Sequence, residues 1–128
     1  MRTLLDTSVL IHPLSQPVEG RLAISAVSLA ELHFGVLVTA DPGRRAERLR
    51  RLAVVERTFS ALPVDDRVSR SYGQLAAAVV AAGRLPRGRS LDLLIAATAH
   101  AHDARLLTRN PDDLIGLEGL VEVVAAGL

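Results

Sequence analysis

Short apolar runs alternate with longer stretches of helical periodicity along nearly the whole chain. The runs are three to five residues long, as buried strands are, while the stretches between them repeat apolar residues every three or four positions. Strands that alternate with helices in this way are typical of a parallel sheet covered on both faces. We therefore expect an α/β fold with a mostly parallel central sheet of four to five strands.

The element boundaries follow from capping residues, prolines and glycines. Predicted strands occupy residues 2–6, 22–24, 62–64, 105–108 and 120–124. Predicted helices run from residue 7 or 8 to the break at 13, then over 25–38, 41–59, 65–82 and 91–102, with a turn or short helix over 110–115. Ser25 and Ser90 are expected N-caps, as is Asp65 or Asp66. The buried faces are expected to be Ala46, Leu49, Leu52 and Val55 on the third helix, and Val68, Tyr72, Leu75 and Val79 on the fourth.

Size and composition exclude several classes of protein. The chain has 128 residues, 49% of them hydrophobic and 23% charged, so we expect residues 1–128 to form a single globular domain. No apolar run could span a bilayer and no secretory signal is recognisable, so a cytoplasmic location without membrane contact is expected. There is no cysteine, which excludes disulfides and thiolate metal sites. Any metal must be bound by oxygen or imidazole.

Four acidic residues stand almost alone in apolar or polar surroundings, where strands should end or helices begin. They are Asp6, Glu31, Asp92 and Asp113. Burying an unpaired carboxylate costs several kcal/mol or more, so something cationic is expected to hold them. Ligands bind beyond the carboxyl ends of parallel strands. The pattern predicts a divalent metal site made of these carboxylates.

Each acid also has a simpler interpretation. Asp6 would cap the following helix through its side-chain oxygen. Glu31 interrupts a stripe that should be buried, Val27, Phe34 and Val38, yet it could pair with an arginine or turn to water.

The other acids have equally ordinary alternatives. Asp92 suits the first turn of a helix because the helix dipole favours negative charge there. Asp112 and Asp113 both follow a proline turn, where acids are common. The residues alone leave open which of the two joins the site.

Other common chemistry is missing. The sequence contains no GxGxxG, Walker A, GxSxG or HExxH motif. His100 and His102 face different ways on a helix, and His12 and His33 have no evident partner, so imidazole ligation is not expected. With net charge +1, an acidic pocket would be set in a net basic surface, which suits a phosphodiester substrate drawn in by arginines. Those of residues 44–57 and 84–89 are candidate backbone contacts, and for most of those in 44–57 the alternative is an ordinary solvated helix face.

Four segments, in order, resemble the PIN-domain ribonucleases, in particular the VapC toxins of type II VapBC toxin–antitoxin systems. They are LLDTSVLI at 4–11, SAVSLAELHFG at 25–35, SLDLLIAATAHAH at 90–102 and LLTRNPDDL at 106–114. The resemblance implies a Rossmann-like fold and a carboxylate cluster that binds Mg²⁺ or Mn²⁺. It assigns the first three acidic positions to Asp6, Glu31 and Asp92.

The fourth acidic position departs from the usual pattern. Asn110 stands where many PIN domains have aspartate, and VapC-like members with asparagine there tend to carry an acid three residues later, here Asp113. Asp112 could substitute, and Leu114 replaces the more usual phenylalanine. The resemblance also implies an RNA substrate, a homodimer, and a VapB-type antitoxin whose tail occupies the acidic site.

We thus expect a metal-dependent endoribonuclease toxin in which Asp6, Glu31, Asp92 and Asp113 are catalytic metal ligands, direct or through water. Thr7 or Ser8, and Thr108, are candidates for orienting water or phosphate. Two alternatives stay open: a noncatalytic α/β interaction domain, and a nuclease that uses the same acids on DNA or on a particular nucleic-acid structure.

Overall fold

The computed structural model describes residues 1–127, and its centre is a five-stranded sheet in which every pairing is parallel. The strands are β1 (Arg2–Leu5), β2 (Arg21–Ser25), β3 (Ala61–Leu62), β4 (Arg105–Thr108) and β5 (Val123–Ala125). Their order is β3-β2-β1-β4-β5, so the first strand of the chain is central. The expected α/β class and parallel sheet are confirmed.

Helices cover both faces of the sheet. They are α1 (Thr7–Ile11), α2 (Ala26–Val38), α3 (Pro42–Thr58), α4 (Asp66–Ala81), α5 (Ser90–Ala101) and a 3₁₀ helix (Pro111–Leu114). Adjacent strand residues point to opposite faces, and Leu4 and Leu5 accordingly belong to two separate core clusters. The first cluster packs under α4 and α5, and the second under α1 and α3.

Two of the expected N-caps are confirmed and one is wrong. The Ser25 hydroxyl accepts a hydrogen bond from the Val27 amide at 3.1 Å, and the Asp65 carboxylate accepts one from the Val68 amide at 3.0 Å. Ser90 does not cap α5, because it is already the first helical residue and the N-cap position falls on Arg89 without a side-chain cap. Asp92 consequently lies at the third position of the helix.

The buried face of α3 is shorter than predicted. Leu52 and Val55 are buried as expected, but Ala46 is exposed and Leu49 is 54% exposed. The first half of α3 lies against the end of α2, where Arg48 donates to the carbonyl of Gly35, and does not lie over the sheet. On α4 the predicted stripe is correct: Val68, Leu75 and Val79 are buried and Tyr72 is half-buried.

The two edge strands begin or end away from their predicted bounds. β3 contains only two residues, and the predicted Val64 lies outside it. β5 starts at Val123 and not at Leu120, because the Leu120 and Val121 amides donate to the carbonyl of Leu117 in a turn. No helix within residues 1–127 is long and apolar enough to cross a membrane.

Candidate metal centre

The centre of the site is the carboxyl edge of the two middle strands. β1 and β4 are parallel neighbours in which Leu5 is aligned with Leu107, so Asp6 and Thr108 emerge side by side at the same edge. The Asp6 amide also donates to the carbonyl of Leu107 at 2.9 Å. This hydrogen bond fixes the backbone from which the Asp6 carboxylate projects.

The Asp6 carboxylate does not cap α1, although the residue is at the N-cap position. Its Oδ2 atom accepts hydrogen bonds from the hydroxyls of Ser8 at 2.7 Å and Thr108 at 2.8 Å. Both hydroxyls are themselves fixed by backbone amides, since Ser8 accepts from Arg109 at 3.1 Å and Thr108 from Asn110 at 3.0 Å. Across residues 1–127 nothing donates to Oδ1, so one carboxylate oxygen is held and the other keeps its lone pairs for a ligand.

Glu31 is held by a second set of hydroxyls. The Thr7 hydroxyl donates to its Oε1 atom at 2.7 Å. The hydroxyls of Thr7 and Ser28 lie 2.8 Å apart; because Thr7 has a single proton and gives it to the carboxylate, Ser28 must donate to Thr7. Ser28 is buried, so this chain of two hydrogen bonds starts inside the protein and ends at the half-buried carboxylate of Glu31.

The alternative interpretation of Glu31 as the partner of an arginine is not supported by the geometry. In the described part of the chain, the ion pair within 4.0 Å is His33–Glu56 at 3.3 Å, and Glu31 makes none. The expectation that its helix stripe is buried was only partly correct, since Val27 is buried while Phe34 is 67% and Val38 is 59% exposed.

Asp92 reports on the electrostatics of the site. Burial raises the pKa of its carboxyl, and the negative charges of Asp6, Asp113 and Glu31 raise it further, with Arg89 opposing them. A helix N-terminus alone would lower this pKa. The direction therefore indicates that burial and the neighbouring acids together outweigh the helix dipole at Asp92.

Asp113, and not Asp112, lies at the central cleft. This cleft has room for about 20 Å³ of solvent, and its polar lining is Asp6, Asp92, Thr108, Asn110 and Asp113. A space of that size admits a single water-sized species.

Arg89 is attached to the same edge. Its Nη1 atom donates to the backbone carbonyl of Asp113 at 2.9 Å, which ties the 3₁₀ helix to the start of α5. Glu31 lies to the other side of Thr7 and lines two neighbouring grooves of about 280 and 390 Å³.

The side chains at this edge offer the kind of ligand atom that a hard divalent cation binds. All four acids and their hydroxyl neighbours offer oxygen ligands, which Mg²⁺ prefers, and the pKa of Asp92 is raised by burial and by the negative charges of the other three acids. The side chains are not gathered into a finished coordination shell, because no group of three histidine, aspartate or glutamate side chains in residues 1–127 is arranged to hold a metal ion. The edge of the sheet thus provides suitable ligand atoms, but these atoms are not arranged as a coordination shell.

The histidines take no part in the cleft. His100 Nδ1 lies 2.8 Å from the Ser71 hydroxyl, His102 Nδ1 accepts from Arg2 at 3.3 Å, and His33 pairs with Glu56. None of them lines the cleft around Asp6 and Asp92.

Sequence reasoning missed two supporting residues. Ser28, which supports Glu31 through Thr7, precedes Glu31 by three positions on α2, and a lone serine at that spacing in an apolar helix was an available signal. Arg89 had been grouped with the other arginines of its loop as a substrate contact. Only the folded chain reveals that it is fixed to Asp113.

Comparisons with known proteins agree with this geometry. The PIN domain family matches residues 3–116. The chain is 38% identical over 125 residues to ribonuclease VapC5 of Mycobacterium tuberculosis, covering 93% of this chain and 90% of that protein. It is also 38% identical over 100 residues to ribonuclease VapC8 of the same species, covering 75% and 88%.

Solved structures give the same result. The crystal structure of VapBC-5 from M. tuberculosis, a member of the VapBC family of toxin–antitoxin systems, contains a chain with TM-score 0.87 and 38% identity, with 98% of both chains covered. FitAcB from Neisseria gonorrhoeae gives a TM-score of 0.77 at 27% identity, covering 94% and 95%.

Proposed function

Because this chain belongs to the PIN-domain family and to its VapC ribonucleases, we propose that it is a toxin that cuts RNA internally by metal-dependent hydrolysis of phosphodiester bonds. The catalytic residues in this proposal are Asp6, Glu31, Asp92 and Asp113, which would hold Mg²⁺ or Mn²⁺ directly or through water. The observation that carries the metal requirement is that Asp6, Asp92 and Asp113 line one small cleft, where burial and the neighbouring negative charges raise the pKa of Asp92.

The chain's own part in the reaction is to hold these carboxylates ready. Ser8 and Thr108 fix one oxygen of Asp6 and leave the other without a donor in residues 1–127. Thr7, backed by Ser28, fixes one oxygen of Glu31. Such hydroxyls orient ligands and prevent them from turning to solvent. Thr7, Ser8 and Thr108, the candidates for orienting water or phosphate, instead donate their hydroxyl protons to the carboxylates.

When bound, a divalent cation supplies the positive charge that favours attack of water on phosphorus and offsets charge on the phosphoryl and leaving oxygens. Asp92 and Asp113 face Asp6 across the cleft. These carboxylates are therefore positioned to receive the scissile phosphate together with the cation, whose charge they need to offset their own.

RNA as the substrate rests on the comparisons, since the relatives at 38% identity are named ribonucleases. A nuclease of this kind would meet RNA in the cytoplasm, the compartment that the sequence predicts. The residues support a phosphodiester more generally, through fifteen arginines among 128 residues and a net basic surface outside the cleft.

A VapB-type antitoxin is the proposed partner, since the solved relative is part of a VapBC system. An exposed apolar groove of about 390 Å³ supports this, because it is lined by Ile11, Phe34 and Leu91 together with Glu31. Phe34 is 67% and Leu91 50% exposed, and exposed apolar side chains grouped beside polar residues are typical of protein interaction sites. A partner that fills this groove would also cover Glu31. A homodimer is proposed from the family resemblance.

One assay tests the proposal. Purified protein without partner is incubated with labelled single-stranded RNA, and separately with labelled DNA, in Mn²⁺, Mg²⁺ or chelator. We expect internal cuts in RNA that require the metal. Cuts in DNA alone would favour the nuclease alternative. No cleavage of either, despite measurable metal binding, would favour a noncatalytic interaction domain.

A further inference from the structure

A groove leads away from Glu31 between α1, α2 and α3. Its volume is about 280 Å³, and its polar lining is Glu31, His12, Arg48 and Arg51. Glu31 therefore belongs both to the acidic set and to this groove. Two arginines lie along the path by which a strand would leave the site on the Glu31 side.

Arg51, the second arginine of this groove, differs from Arg89 and Arg109 in its hydrogen bonding. It is half-buried, yet its side chain makes no hydrogen bond or ion pair with any residue from 1 to 127. By contrast, Arg89 and Arg109 donate to backbone carbonyls. Because part of the residue is buried, the side chain is held at the groove, while the N–H donors of its guanidinium have no acceptor within residues 1–127. Arg51 is thus a cation placed in a groove and left free for an anion.

Arg48 is fixed at the rim of the same groove. Its Nη1 atom donates to the carbonyl of Gly35 at 3.2 Å and to the hydroxyl of Thr39 at 2.7 Å. Both bonds use one nitrogen, so Nε and Nη2 keep their protons for another acceptor. The contacts with the end of α2 hold Arg48 in place one helical turn from Arg51.

We propose that this groove binds the backbone of the RNA strand flanking the bond that is cut, with Arg51 contacting a phosphate and Arg48 supporting it. The proposal rests on the proposed function. A planar guanidinium matches phosphate oxygens in a two-pronged hydrogen bond. The lining contains no phenylalanine, tyrosine or tryptophan for stacking on bases, so we expect the contact to depend on the charge of the backbone and not on base sequence.

Salt dependence of RNA binding tests the proposal directly, because each phosphate contact on a single strand contributes about 0.7 to the slope of log affinity against log salt. Binding of a labelled, mixed-sequence single-stranded oligoribonucleotide is measured in chelator, in an Asp6→Asn background that does not cut it. Arg51→Gln, Arg51→Lys and the control Arg70→Gln are compared. Arg70 is an exposed arginine on α4, and its replacement removes the same charge.

Arg51→Gln is expected to weaken binding on the order of tenfold and to reduce the salt slope by about 0.7. Arg51→Lys should keep the slope, because the charge remains, and Arg70→Gln should match the parent in both. Unfolding curves of each variant separate a loss of contact from a loss of fold.

Equal affinity and slope for Arg51→Gln and Arg70→Gln would overturn the proposal, even if Arg51→Gln weakened binding of an acidic protein partner. That failure is distinct from failure of the proposed function. If only the groove proposal is wrong, the unmodified protein still cuts RNA. If the proposed function is wrong, the unmodified protein does not cut RNA.

Discussion

The two edges of the central sheet both carry charged side chains, but only one edge satisfies them. At the amino edge, Arg2 donates to His102, Arg105 donates to the hydroxyl of Thr3 at 2.8 Å, and Arg67 donates to the carbonyl of Ala101. At the carboxyl edge, Asp6 and Asp92 line one cleft; the donors to Asp6 are neutral hydroxyls, and neither acid is in an ion pair within residues 1–127.

This difference separates stability from function. The amino edge uses its charges to join β1, β4 and the end of α5, so replacing them should affect folding. The carboxyl edge raises the pKa of Asp92 by burying its carboxyl and by keeping other carboxylates near it, which costs stability and is common where a ligand must bind. Substitutions at the two edges should therefore have opposite consequences.

The largest expected effect is on cleavage by Asp6→Asn. The amide keeps an oxygen for Ser8 and Thr108 but lacks the charge that a divalent cation needs. Replacing residues that merely support a metal ligand costs about 10–100-fold, so we expect a loss on the order of 100-fold or more in RNA cleavage, measured as initial rate. The unfolding free energy should stay within about 1 kcal/mol of the parent.

Asp112→Asn is the matched control, since Asp112 is exposed and lies outside the cleft. It makes the same chemical change next to the proposed fourth acid. Cleavage at the parental rate by Asp6→Asn would remove Asp6 from the mechanism, and an inactive Asp112→Asn would exchange the assignment of Asp112 and Asp113.

The next effect is stabilisation by metal. An ion that binds only the folded state stabilises it by about 2.7 kcal/mol at one hundred times its Kd. We expect Mn²⁺ to raise the Tm of the parent and of Asp112→Asn, and to raise that of Asp113→Asn less. Differential scanning calorimetry measures this without RNA. A Tm that does not respond to Mn²⁺ or Mg²⁺ would mean that the carboxyl edge does not close around a cation.

Local signals predicted the fold well. Alternation of strand and helix patterns, and the caps at Ser25 and Asp65, depend on residues close in sequence, and the structure agrees with them. The exposure of Leu49 and Phe34 was not predictable, because helical periodicity identifies a face without identifying what covers it. Arg48 joins α3 to the end of α2 by hydrogen bonds, and no pattern of residues close in sequence predicts that contact.

The site divides in the same way. The apolar run before Asp6 predicts that this residue follows a strand, and the structure places it at the carboxyl edge of the sheet. That its carboxylate binds Thr108, far away in sequence, depends on which strands are neighbours. The roles of the four acids as ligands stay predictions, which the substitutions above address.

A smaller effect, of opposite sign, is expected for stability at Asp92. Its folded pKa is raised, so the ionised carboxylate destabilises the fold, and this cost grows as pH rises through the folded pKa. Asp92→Asn should therefore unfold at higher urea in chelator at neutral pH. Since the carboxylate is only half-buried, solvent screening limits the gain to roughly 0.5–1 kcal/mol.

Acid provides the internal control for Asp92→Asn. Below the ordinary carboxyl value of 3.8 the parent is protonated in both states, and the gain in stability should disappear. A variant that is less stable than the parent at neutral pH would mean that the N-terminus of α5 stabilises the charge more than the other acids oppose it.

The smallest effect belongs to the amino edge. Arginine can only donate, so Nδ1 of His102 accepts from Arg2 and the ring proton is on Nε2, which is buried without a partner in the described residues. Burial lowers the pKa of His102 from its usual 6.5, the charges of Arg67 and Arg2 lower it further, and Asp65 opposes them. The unfolded chain therefore takes up this proton first, so stability should fall as pH drops below that value.

His102→Gln should make this fall shallower, because the amide can accept from Arg2 and does not titrate. We expect a difference of a few tenths of a kcal/mol between pH 7 and pH 5, since solvent screens the partly exposed ring. Urea unfolding of the two proteins measures it, with the constant offset above pH 7 as reference because His102 is neutral there in both states. If the two curves stayed parallel down to pH 5, the amino edge would not sense protons through His102, and the contrast with the carboxyl edge would lie in hydrogen bonding alone.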